Sequence, residues 1–308
     1  MSEGQAPPGS EEEAGLAIPA EVRSYEKTPM YSAMHWQRYI RQGLILDIER
    51  AAHDRGHPSK LICYVANLQA QVNRDDVVGF VDLLHNIPAN TPIDLLLHTP
   101  GGDVDAAEKM IKLVRKRVGD DECLRVIVPD FAKSAGTMIA LGANRIVMSD
   151  SSELGPIDPQ VSLLDTSGQT INHSVLNYLR AFTEARRDLK DHPDGPVAQQ
   201  TFARFDPVLV KKFEAIQRRT KTFAEDLLKP RGTTYTAIVS ELMNVDALPS
   251  HGQMIGWEKA SAMGLSIEYM DASDALWRQH WLLYCHLRLA LSENNQRIFE
   301  SSYVSLIM

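Results

Sequence analysis

Cysteine is scarce in this 308-residue chain, and long apolar runs and an excess of basic charge are both missing. The three cysteines, Cys63, Cys123 and Cys285, are odd in number and far apart. They form neither a zinc spacing nor a disulfide framework, which points to a reducing, cytoplasmic compartment and no metal site. A membrane-spanning helix needs about 20 apolar residues in a row. The best runs, Leu61 to Ala66 and Trp281 to Tyr284, fall far short. The first residues, MSEGQAPPGSEEEAG, lack the basic start and apolar stretch of an export signal. Lys plus Arg is 32 against 40 for Asp plus Glu, a net charge of −8. That balance argues against nucleic acid as a partner, because phosphate binding needs a basic surface. Hydrophobic residues at 44% and charged residues at 23% match ordinary globular usage.

Residues 1–28 are rich in Pro, Gly, Ser and Glu and read as a flexible acidic tail. From Lys60 an alternation begins. Leu61 to Ala66 reads as a buried strand, and Val77, Phe80, Val81 and Leu84 share one helical face. Ile93 to Leu97 is a second strand, ending in His98-Thr99-Pro100-Gly101-Gly102. Asp103 caps the next helix, whose stripe is Ala107, Met110, Ile111, Val114 and Val118. Strands at Leu124 to Val128 and Arg145 to Met148 flank a helix starting near Ser134. Strands alternating with helices predict an α/β fold with largely parallel pairing. The second half is more helical, with stretches at Val175 to Leu189, from Asp206-Pro207 to Pro230, at Gly256 to Met263 and at Ala275 to Leu291.

Asp130-Phe-Ala-Lys-Ser-Ala-Gly-Thr137 carries the strongest chemical signal. An apolar strand runs into a tight turn of small residues, and a helix starts at Ser134. This is the recipe for an exposed nucleophile with free backbone N–H groups beside it, which can also stabilise an oxyanion. A plain N-cap is the commoner role for such a serine. Thr99-Pro100-Gly101-Gly102 follows the preceding strand. Both turns then fall at the sheet edge where open α/β folds place their sites. A serine nucleophile needs a base, and the base an orienting group. His98 and His251 are the candidate imidazoles, and Asp158, between Pro156 and Pro159, is a candidate carboxylate.

The stretches HTPGGDVDAAEKMI (98–111), VIVPDFAKSAGTMIALGANRIVMSDSSELGPIDPQ (126–160) and SHGQMIGWEKASAMGL (250–265) together resemble the serine dehydrogenase proteinase family. That family lies within the Clp protease and signal peptide peptidase A superfamily. The resemblance implies a crotonase/ClpP-like spiral of repeated β-β-α units with additional C-terminal helices. It implies a triad in the chain order Ser134, Asp158, His251, with oxyanion donors from the backbone of Gly101 or Gly102 and of Ala135. The signal peptide peptidase branch uses a Ser–Lys dyad instead, for which Lys190, Lys211 and Lys212 are available; Lys190 and His98 are the alternative bases. The His251 context, Pro-Ser-His-Gly-Gln-Met, departs from the Trp-Thr-His-Asp-Tyr-Pro-like context of relatives.

The expectation is a serine endopeptidase acting on peptides or unfolded proteins, without cofactor, metal, nucleic acid or membrane segment, as a homo-oligomer. The expected domains are the tail (1–28), a peptidase domain (29–270) and a C-terminal helical extension (271–308). Trp277 and Trp281 are candidates for packing on a neighbouring subunit or, equally, in the core of one subunit. Rival classes are a crotonase-fold acyl-CoA enzyme, with an acidic base and no serine nucleophile, and a non-catalytic scaffold.

Overall fold

A computed structural model describes residues 29–120, 122–164, 167–232, 234–248, 250, 252–292 and 294–308. The expected tail, 1–28, lies outside the described residues. The chain divides into two units, 1–40 and 41–308. Of the first, the described residues belong to the start of the helix Pro29–Asp54 (α1). The second holds every other element.

Its centre is a seven-stranded sheet whose strands stand side by side in the order 305–307, 297–301, 60–66, 93–98, 124–127, 145–148 and 267–269. Five neighbouring strands run parallel: β1 (Lys60–Ala66), β2 (Ile93–His98), β3 (Leu124–Ile127), β5 (Arg145–Met148) and β9 (Ile267–Tyr269). β10 (Arg297–Ser301) and β11 (Ser305–Ile307) add antiparallel strands beside β1. The apolar runs are continuous because both faces of the sheet are covered. Ile62, Tyr64 and Ala66 of β1 enter one core with Ile93, Leu95 and Leu97 of β2. The alternate residues Leu61, Cys63 and Val65 enter a second core with Ile45 and Ile48 of α1 and with Trp277 and Tyr284. That is the period-two alternation of a strand expressed twice.

The first core is covered by α2 (Asp76–His85), α3 (Val104–Val118), α4 (Ala135–Leu141), α7 (Pro207–Leu228) and α8 (Tyr235–Leu242). Asp103 caps α3 by accepting from the N–H groups of Asp105 and Ala106. The second core is covered by Leu44, Ile45, Ile48 and Ala51 of α1 and by α10 (Ala275–Leu289). Trp277 is 3% exposed and belongs to that core, whereas Trp281 is 40% exposed.

A short strand follows the sheet strand in the third strand–helix unit. β4 (Phe131–Ala132) lies between β3 and α4 and pairs in parallel with β6 (Glu153–Leu154). This is the β-β-α unit expected of a ClpP-like fold. Where the sequence reading has only a connection after Asp158, the structure has the hairpin β7 (Gln160–Leu164) and β8 (Thr170–Ser174). The hairpin joins α5 (Val175–Asp191) and α7 in a third small core around Val175, Leu179, Val210 and Phe213, and α6 (Pro196–Phe202) lies between those helices in the chain. Past α9 (Trp257–Ala262), the stretch 271–308 is helical only in its first part, since β10 and β11 follow α10.

Candidate active site

The two turns singled out in the sequence are hydrogen-bonded to each other. Thr99 N–H donates to the Phe131 carbonyl at 3.1 Å, and Lys133 N–H donates to the Thr99 carbonyl at 3.0 Å. Gly101 sits against the elbow so closely that a Cβ would lie 2.6 Å from the Lys133 carbonyl and 2.8 Å from Ser134 Cβ. Its φ of +97° adds a second reason for glycine. Thr137 Oγ1 lashes α4 to the next turn, lying 2.8 Å from the Ala132 carbonyl and 2.9 Å from that of Gly155.

Ser134 itself has φ 52° and ψ −114°. A non-glycine residue held there stores on the order of 1–3 kcal/mol of strain. Its hydroxyl makes no capping hydrogen bond to α4, so the commoner role for a serine at this position is not the one it takes. Gly101 N–H is occupied by Thr99 Oγ1 at 3.2 Å. Among the described residues the N–H groups of Gly102 and Ala135 have no partner.

Ser134, Gly101 and Gly102 line one cleft of about 650 Å³. Val104, Val161 and Ile216 give it apolar walls, and Lys212 and Arg219 bring cations. Val161 comes from β7, and Lys212, Ile216 and Arg219 from α7, so the small third module forms one side. Arg219 pairs with Glu108 and, at 3.4 Å, with Asp105. A larger cavity of about 920 Å³ lies by Lys60, Pro92 and Glu122, at the beginnings of β1, β2 and β3. Open α/β sheets hold ligands at the opposite, carboxyl ends of their strands. The smaller cleft is therefore the candidate site.

Asp158 is 5% exposed. Its Oδ1 accepts from Ser174 Oγ at 2.7 Å and its Oδ2 from Gln160 Nε2 at 2.7 Å. The carboxylate does not itself line the cleft, but its neighbours Pro159 and Gln160 do. His251 lies outside the described residues. The chain beside it is placed close to the elbow: Lys133 Nζ is 3.4 Å from the carbonyls of both Gly252 and Gln253. Ile255 pairs with Leu154 of β6 through two backbone hydrogen bonds. Lys133 is turned toward these carbonyls and Glu153, whose Oε2 is 2.9 Å away.

The alternative bases separate clearly. His98 is fully buried, with Nδ1 2.8 Å from the Ala66 carbonyl and its ring against Phe131 and Tyr284. Burial pushes its pKa down. Its Nε2 stands 3.5 Å from Asp130 Oδ2, and His98 together with the Tyr284 hydroxyl holds the Asp130 carboxyl below the usual range. His98 does not line the cleft, and neither does Lys190, which is exposed at the end of α5. Lys211 turns to Glu214 at 2.8 Å. Lys212 lines the cleft and has no partner among the described residues. Neither Gln160, the last residue of the 126–160 stretch, nor Arg219 stands out in the sequence as a site residue. Their proximity to the serine follows from a hairpin and a helix packing that no local pattern announces. No group of three or more metal-ligating side chains occurs among the described residues, and no described helix is long and apolar enough to cross a membrane.

Ser134, with its strained backbone, thus stands at the carboxyl edge of the parallel sheet and lines a cleft of about 650 Å³. Residues 71–177 match the family of ClpP-like SDH-type serine proteinases. The match covers about a third of the chain and includes Gly101, Gly102, Ser134 and Asp158. The resemblance to the serine dehydrogenase proteinase family holds there, and it supports a serine peptidase. A stretch of 74 residues is 47% identical to an uncharacterized protein of Methanocaldococcus jannaschii, covering 24% of this chain and 25% of that protein. A second uncharacterized protein of the same organism is 39% identical over 74 residues, 24% of each. The chain thus spans about a quarter of the length of the curated relatives it matches. Among solved structures, an alanine mutant of the 1510-N membrane-bound stomatin-specific protease superposes with a TM-score of 0.43 at 21% identity, over 70% of this chain and 82% of that one. Another mutant of that protease, with a substrate peptide, gives 0.38 at 16%, over 74% and 98%. These two likenesses are too loose to bear on the site.

Proposed function

We propose that the chain is a serine endopeptidase with Ser134 as nucleophile. The observation that carries this reading is the conformation of Ser134, which lines the cleft with a strained backbone, a hydroxyl not spent on capping and, among the described residues, two neighbouring N–H groups without partners. In the reaction, Ser134 Oγ attacks the scissile carbonyl while a base takes its proton. The N–H groups of Gly102 and Ala135 receive the oxyanion, each donor being typically worth about 2.7–4 kcal/mol. The tetrahedral adduct collapses as the base returns the proton to the leaving amine. Water then cleaves the acyl-enzyme by the same route. The cleft, with apolar walls from Val104, Val161 and Ile216, suits a peptide segment free of tertiary structure.

His251 is the base in this proposal and Asp158 orients it. The nearness of 252, 253 and 255 to the elbow supports bringing an imidazole there. A Ser–Lys dyad is the second reading, and the place of Lys212 in the Ser134 cleft favours it over one with Lys190. Labelling by a fluorophosphonate, read by intact mass on wild type, Ser134→Ala, His251→Ala and Lys212→Ala, tests both. Wild type should gain one adduct and Ser134→Ala none. Whichever of the other two variants loses labelling identifies the base. Equal labelling of Ser134→Ala and wild type would refute the assignment.

A further inference from the structure

The segment 71–73 lies between strand β10 and the Gly101–Gly102 turn. On one side it is bonded to the turn: Val72 N–H donates to the Gly101 carbonyl at 2.7 Å, and Asp103 N–H donates to the Val72 carbonyl at 2.8 Å. On the other side it is held by a buried polar cluster. Asp76 Oδ2 accepts from Asn73 N–H at 2.8 Å and from the Tyr64 hydroxyl at 3.0 Å. Asp76 and Tyr64 are fully buried. Arg297, the first residue of β10, closes the cluster. Its Nη2 donates to the Gln71 carbonyl at 2.7 Å, and its Nε stands 2.8 Å from Asp76 Oδ1. The Arg297 side chain is only 15% exposed. Gln71 also lines the Ser134 cleft.

We propose that Arg297 is a positioning residue for the oxyanion turn: its guanidinium joins the Gln71 carbonyl to the Asp76 carboxylate and, through Val72, sets where the Gly102 N–H meets the cleft. The inference rests on the peptidase reading. Arg297 does not line the Ser134 cleft. A planar guanidinium serves a carbonyl and a carboxylate at once in a fixed geometry, which a lysine ammonium does not reproduce. A displacement of about 1 Å at a catalytic group, originating away from the chemistry, can cost about a hundredfold in rate.

The test uses the full chain as wild type, Arg297→Lys and Arg297→Met. Three quantities are read: hydrolysis of a fluorogenic casein, inhibition by a peptide aldehyde, and backbone amide exchange at Val72 and Asp103. In Arg297→Lys, kcat should fall about tenfold to a hundredfold and the aldehyde, which mimics the tetrahedral adduct, should weaken in step, with KM changed less than about twofold. Exchange at Val72 and Asp103 should accelerate at least about tenfold in both variants. A loss of melting temperature with unchanged kcat and aldehyde affinity would reduce Arg297 to a stability role and overturn the proposal. So would unchanged exchange at the two amides. If neither variant folds, wild type decides: Val72 and Asp103 should open together with the Arg297 amide, and independent opening overturns the proposal. A wild type that takes no label at Ser134 refutes the peptidase reading instead, and the exchange measurement still judges Arg297.

Discussion

Replacing Gly102 by alanine probes the site with one carbon atom. The turn holds Gly102 at φ +146°, where an L side chain is strained. An added Cβ would fall 2.4 Å from the Val72 carbonyl oxygen and 2.5 Å from Val72 N. Both are backbone atoms, so no side chain can swing away. Reaching an ordinary contact requires the turn or segment 71–73 to move by about 1 Å, and these atoms also carry the two hydrogen bonds that hold the turn. A shift of that size costs about a hundredfold in rate, and losing an oxyanion donor outright costs about 10²–10³. The backbone strain adds on the order of 1–3 kcal/mol. For a domain of this size that lowers Tm by a few degrees to about 10 °C. The assay is the pseudo-first-order rate of fluorophosphonate labelling, beside a melting curve. The expected result is a folded protein labelled about 10²–10³ times more slowly than wild type. A folded Gly102→Ala that labels within about threefold of wild type would remove the Gly-Gly turn from the mechanism.

His280 is fully buried and its pKa is lowered to about 4 by loss of solvent. The unfolded chain binds the proton near pH 6.5 and the folded chain does not. This contribution is therefore complete above about pH 6.5 and lost as pH falls toward 4, worth up to about 3 kcal/mol. Urea unfolding of wild type and His280→Met at pH 7 and pH 4.5 checks it, and the variant should show the smaller drop. Arg125 binds Asp94 through two hydrogen bonds, Nε–Oδ1 at 2.8 Å and Nη2–Oδ2 at 2.5 Å, with both side chains nearly buried. Arg125→Met should destabilise by about 3–5 kcal/mol in denaturant unfolding, and Asp94→Leu added to it should restore most of the loss. Gly43 lies inside α1 and an added Cβ meets nothing within 4 Å. Gly43→Ala should stabilise by about 0.8–1.0 kcal/mol, a Tm rise of a few degrees, and leave labelling unchanged.

The parallel strands and the helices between them are legible because their signals are local. Leu61 to Ala66 and Ile93 to Leu97 are short apolar runs, and Asp103 and Asp206 cap their helices as their positions suggest. The elbow is legible because the strand, the small residues and the helix start are contiguous. α1 is hidden because its apolar residues do not gather on one face, Leu46 being exposed beside the buried Ile45, and because one of its buried side chains is Arg41. β10 is hidden because Arg297-Ile-Phe-Glu-Ser301 has two charges in five residues. Both charges are neutralised far away in sequence, Arg297 by Asp76 and Glu300 by Arg41. The cleft wall is hidden for the same reason. Lys212, Ile216 and Arg219 reach the serine only because α7 packs across it, a long-range fact that no window of sequence contains.

β1 has neighbours on both sides only because β10 returns to it, pairing Cys63 with Glu300 across most of the chain. Trimming the protein after Leu291, by a protease or in cloning, would bare the rim of a seven-residue apolar ribbon. Such a rim is a template for pairing with other molecules. Precipitation of a shortened product would then report a missing sheet partner, and a soluble tag placed on that end would have to leave the final hairpin free to close.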